Sequence, residues 1–129
     1  MLLPEDAAYL VRHQYEATLT PEGGYLCLVV PGFRLPPGYQ VAASDLLIRL
    51  PPGFPDAQPD MWWFDPALRL AATGALPQAT ELTESYLGRN WQRWSRHFTS
   101  GQWRPGRSGV ESFITLIRRD LEKWVPQIQ

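Results

Sequence analysis

Near its end the chain carries an apolar stripe that dictates what the rest of the molecule must supply. Val110, Phe113, Ile114, Ile117, Leu121 and Trp124 recur at helical spacing, with Glu111, Ser112, Arg118, Arg119, Glu122 and Lys123 on the other side. Such an amphipathic helix is stable only when a second apolar layer covers the stripe. Ser108 and Glu111, three residues apart just ahead of it, have the spacing of a capping box, and Pro126 stops the helix. The second layer is legible upstream. "QYEATLT" and "YLCLVVPGF" are rich in aromatic and β-branched residues, and "PEGG" between them makes a hairpin turn. "SDLLIRL" alternates Leu46, Ile48 and Leu50 against Asp45, Leu47 and Arg49, and "DMWWF" follows as a fourth short strand. A short helix over Pro4–Arg12 turns Ala7, Ala8, Leu10 and Val11 toward the sheet. The sequence therefore predicts one α+β domain over residues 1–129. Its order is an N-terminal helix, a four-stranded antiparallel meander, a long irregular segment and a C-terminal helix packed on one face of the sheet.

Composition excludes several functions. The net charge of −1 gives the chain no long-range field to gather nucleic acid or a membrane surface. The opening "MLLPEDAAYLVRH" has no basic segment ahead of an apolar core, and no run of apolar residues is long enough to span a bilayer, so a cytoplasmic protein is expected. One cysteine, Cys27, allows no internal disulfide, and with two histidines it leaves too few soft ligands for a zinc site built from this chain alone. No metal and no other cofactor is expected.

Chemistry-bearing residues crowd into one stretch, "GRNWQRWSRHFTSGQWRPG", which holds Trp91, Trp94 and Trp103 of the chain's 6 tryptophans. From Arg89 to Arg107 there are arginines at 89, 93, 96, 104 and 107 and no acidic residue. Arginine and tryptophan dominate binding hot spots through area, cation–π contact and bidentate hydrogen bonds. Arg93, Trp94, Arg96, His97 and Arg104 are accordingly the candidate partner-binding set, while Trp91 and Trp103 read as core. His97, beside several guanidiniums, would have its charged form disfavoured, which suits a general base or, further from precedent, an acyl-accepting nucleophile.

The motifs also carry a resemblance. "LLIRLPPGFPDAQPDMWWF" is similar to the strand–turn–strand of the ubiquitin-conjugating enzyme family, in which Tyr-Pro-x-x-Pro-Pro precedes an apolar strand. Phe54 and Pro55 match its Tyr-Pro and Pro59 its last proline, whose peptide bond is usually cis in the family, whereas Gln58 departs from the pattern. Gly88, then Trp103 to Pro105, then the C-terminal helix resemble the glycine before the family's active-site segment, the Trp-x-Pro after it and the helix that follows. The resemblance implies a ubiquitin-conjugating-enzyme-like (UBC-like) fold of a divergent prokaryotic type, with a ubiquitin-like protein and its activating enzyme as partners. It also implies a thioester-forming cysteine between Gly88 and Trp103, where this chain has none, and a His-Pro-Asn motif, which is absent. A longer loop fills that space, its "ATELTESYL" reading as a helical turn, and Asn90 is a positional candidate for the missing asparagine. Cys27, mid-strand between Leu26 and Leu28, reads as a buried hydrophobe. The leading expectation is a pseudoenzyme that binds the modifier or its activating enzyme. The alternatives are an active, unconventional transferase or hydrolase using His97, and a module for single-stranded nucleic acid, against which the whole-chain charge argues.

Overall fold

The computed structural model describes residues 2–96, 103–104 and 108–125 of the chain. Its elements are α1 (Pro4–Arg12), β1 (Thr18–Glu22), β2 (Tyr25–Arg34), β3 (Ala43–Leu50), β4 (Trp62–Asp65), β5 (Thr83–Tyr86), β6 (Arg89–Trp94) and α2 (Val110–Lys123). The first four strands form the expected meander, but the sheet is six-stranded, in the order β1-β2-β3-β4-β6-β5, every pair antiparallel. The segment expected to be irregular thus supplies two strands. "TESY" is β5, not part of a helical turn. Tyr86 pairs with Arg89 across Leu87 and Gly88, whose φ angles are 56° and 74°. Two consecutive positive φ values are what a two-residue hairpin turn with the right-handed strand twist requires. Gly88 is therefore a turn glycine, and β6 is free to run alongside β4.

α2 lies on one face of the sheet as its stripe demands. Val110, Phe113, Ile114, Ile117 and Leu121 are buried against Leu28, Val30, Leu46, Ile48, Trp62, Phe64 and Trp94. The other face is also covered. Cys27, Val29, Leu47, Trp63 and Trp91 form a second core, with Met61, Tyr86 and Leu87 packed against it. The sheet curls far enough for the β5–β6 turn to meet β1: the Leu87 N–H donates to Glu22 Oε2 at 3.0 Å. Leu47, read as the solvent side of an alternating strand, is buried for this reason.

Three local expectations are corrected. In α1 the inward residues are Asp6, Tyr9 and Leu10, whereas Val11 is 77% exposed and Ala7 and Ala8 face outward. The reason is Asp6: its Oδ1 accepts the Val110 N–H at 3.0 Å, so a carboxylate of the first helix satisfies a free backbone donor at the start of the last. Ser108 and Glu111 accordingly form no capping box. Gly109 is the N-cap, its N–H donates to Ser112 Oγ, and a Cβ at Gly109 would stand 2.6 Å from Asp6 Oδ1. Finally, the cis peptide bonds fall at Phe54–Pro55 and Asp65–Pro66, not at Gln58–Pro59.

Candidate functional site

The tryptophan–arginine stretch is threaded through the sheet, and strand alternation sends its residues to opposite faces. Trp94 is fully buried under α2, stacked on Trp62 at 6.2 Å between ring centroids and edge-on to Phe64 at 5.8 Å. Its indole N–H donates to Gln92 Oε1 at 2.9 Å. Trp94 is thus a core residue and not part of a contact surface, because six-strand pairing places it opposite Trp62. Trp91 is fully buried on the other face. Sequence reasoning passed over Gln92, which is 3% exposed and clamps the 66–82 loop: its side chain accepts the Leu68 N–H at 2.8 Å and donates to the Leu68 carbonyl at 3.1 Å. A polar residue between two tryptophans was its only sequence signal.

The arginines are as divided as the tryptophans. Arg93 lies opposite Trp63 and pairs with Glu84 at 3.3 Å, while its Nε donates to Ser95 Oγ. Arg96 reaches the helix side instead. Its Nε meets Asp120 Oδ2 on α2 at 2.8 Å, both side chains are 13% exposed, and the guanidinium lies over Trp94 and Trp124. Such a pair ties the segment after β6 to α2. Arg89 bridges Asp45 at 3.0 Å and Asp65 at 2.7 Å over the Trp91 ring. Arg104 is exposed, its backbone N–H held by Ser108 Oγ. Asn90 is exposed on the β5–β6 hairpin, where its Oδ1 accepts the Ser85 hydroxyl. His97 and Pro105 lie outside the described residues. Arg93, Arg96 and Trp94 therefore do not share one face.

The resemblance motifs do meet in space. The Trp103 indole N–H donates to the Pro55 carbonyl at 2.8 Å, and its ring lies 6.1 Å from that of Phe54 and 6.4 Å from that of Phe113. Pro59 is buried at the entry to β4. The proline turn, the Trp-x-Pro tryptophan and the C-terminal helix so form one joint.

On the second face, Arg93 opens into a cavity of about 250 Å³ lined in part by Tyr25, Arg49, Gln58, Trp63, Glu84 and Tyr86. The Arg49 guanidinium is clamped between the Tyr25 and Tyr86 rings, 4.2 and 4.1 Å from their centroids. Glu84 ties the wall together, accepting from Trp63 Nε1 at 2.9 Å as well as from Arg93. Beneath lies Cys27, fully buried. Burial pushes its thiol pKa up, against the opposing pull of the Arg49 guanidinium. This is the opposite of a nucleophilic cysteine, which needs an exposed, stabilised thiolate. Among the described residues no three His, Cys, Asp or Glu side chains converge as a metal site would require, and no helix is long and apolar enough to cross a membrane.

The model of one protein family, described as Prokaryotic E2 family E, matches residues 2–124. No curated protein and no solved structure matches the chain.

Proposed function

The chain belongs to the prokaryotic E2 family E, and from that premise we propose that it serves a bacterial-type ubiquitin-like modifier pathway as a non-catalytic member. In this reading it holds the ubiquitin-like protein, its activating enzyme, or both, and forms no thioester. The placement of its single thiol carries the proposal. Thioester transfer needs a thiolate that a second protein's activated carbonyl can reach. The stretch from Gly88 to Trp103 has no cysteine, and Cys27 is 0% exposed with its pKa raised by burial. Of the expected binding set, Arg93 at its cavity and the exposed Arg104 are the described members that support a partner contact, and His97 lies outside the described residues.

The test mixes the protein with ATP, a prokaryotic ubiquitin-like protein and that protein's activating enzyme. The expected result is co-elution on size exclusion, no thiol-sensitive adduct on a non-reducing gel, and unchanged binding by Cys27→Ser. Native protein should also react slowly with an aromatic disulfide reagent. A thiol-sensitive adduct that vanishes in Cys27→Ser overturns the proposal. An adduct that resists thiol but is lost in His97→Ala overturns it in favour of the unconventional transferase.

A further inference from the structure

Away from the second-face cavity, where α1 ends beside β2 and α2, a cavity of about 250 Å³ is lined by His13, Gln14, Tyr15, Pro31, Gly32, Arg34 and Arg118. From its lining we propose that it binds a phosphate-class oxyanion. The lining holds two guanidiniums and an imidazole but no carboxylate. The ion pairs that join Arg89 to Asp45 and Asp65, Arg93 to Glu84 and Arg96 to Asp120 take up neither Arg34 nor Arg118. Asp45, which accepts the Gly32 N–H at the cavity wall, is already paired with Arg89.

Arg118 is not a loose surface arginine. It lies over the Phe33 ring at 4.5 Å, donates to the Arg34 carbonyl at 3.4 Å and donates to the Tyr15 hydroxyl. Tyr15 is itself stacked on Phe33 at 5.8 Å and on His13 at 6.2 Å. An aromatic and hydroxyl scaffold therefore fixes the guanidinium before any ligand arrives, which reduces the side-chain entropy lost on binding. The fork retains unused donors, and Arg34 stands exposed at the rim. Two guanidiniums lining one cavity match a dianion better than a single carboxylate, and planar forks suit phosphoryl oxygens. The chain's net charge of −1 means that this positive field is local, so binding should weaken with added salt.

The test titrates inorganic phosphate into ¹⁵N-labelled full-length protein at constant ionic strength, with acetate as the carboxylate control and glycerol 2-phosphate as an ester. The expected result is saturable shifts at Tyr15, Gly32 and Arg34 with phosphate, at least tenfold weaker with acetate. Arg34→Gln, at an exposed position, should melt as the parent does and weaken phosphate at least tenfold. Arg118→Lys, which keeps the charge but loses the fork, should do the same. Glycerol 2-phosphate binding as well as phosphate assigns the site to an esterified phosphoryl group, and binding by phosphate alone assigns it to the free ion. No saturable shift, equal response to acetate, or a phosphate affinity unchanged in Arg34→Gln would each overturn the proposal.

Discussion

Asp6 shows how one side chain changes what a helix face means. It sits in the first turn of α1, where an acid ordinarily faces water, yet it is 4% exposed because its Oδ1 accepts the Val110 N–H. Burial raises its carboxyl above the ordinary carboxylate range, opposed by that N–H and reinforced by Glu5 and Glu111. A carboxyl whose folded pKa lies above its unfolded value contributes stability in its protonated form and loses it as pH rises through the folded value. Asp6→Asn keeps an acceptor for Val110 but does not titrate. The melting temperature of the variant minus that of the parent should therefore increase as pH rises from the carboxylate range toward neutrality, and a difference that is flat or falls would reject this account. Asp6→Ala, which leaves Val110 without its acceptor, should cost about 1 kcal/mol or more throughout. The contact was illegible in the sequence, since its partners are 104 positions apart. Only the i, i+3, i+4 spacing of Asp6 with Tyr9 and Leu10 hinted that an acid shares the buried face.

At the scale of elements, legibility followed the strength of local patterning. α2 stands where its apolar stripe put it, and α1 and the first four strands lie close to where turn residues and alternation put them. β5 and β6 were missed for two physical reasons. Their turn, Leu87–Gly88, lacks the Asn-Gly or Asp-Gly signal, because Leu87 takes a φ of 56° while its side chain packs against the second core. β6 also shows no clean alternation, since Trp91, Gln92 and Trp94 are all buried by covering layers on both faces of the sheet. The candidate site suffered for the same reason: residues adjacent in sequence, Arg93 and Trp94, were grouped although pairing with β4 sends them to opposite sides. The turn itself can be tested. Gly88 has a φ of 74° with open space where a Cβ would stand, so Gly88→Ala meets a backbone cost of about 1–2 kcal/mol and no steric clash. Chemical denaturation should show that loss with an unchanged m-value, whereas a neutral substitution would show that the turn does not hold this geometry.

For the whole molecule, the arrangement of two cores around one sheet sets where stability resides. β2, β3 and β4 carry side chains into both, from Leu28, Leu46, Ile48, Trp62 and Phe64 on one face and from Cys27, Leu47 and Trp63 on the other. Their backbone amides should be the slowest to exchange with deuterium, while those of the edge strands β1 and β5 exchange sooner through local opening. Equal protection across all six strands would contradict this. The joint between Asp6 and Val110 also has a consequence for the order of events in the cell. The cap of α2 is supplied by a residue made 104 positions ahead of the donor it accepts from, and the stripe of α2 closes a core that the meander alone leaves open. During synthesis the nascent sheet must therefore wait, with Leu46, Ile48 and Phe64 uncovered, until α2 emerges. Closing of this core waits on α2, and exposure to aggregation and to chaperones falls within that interval.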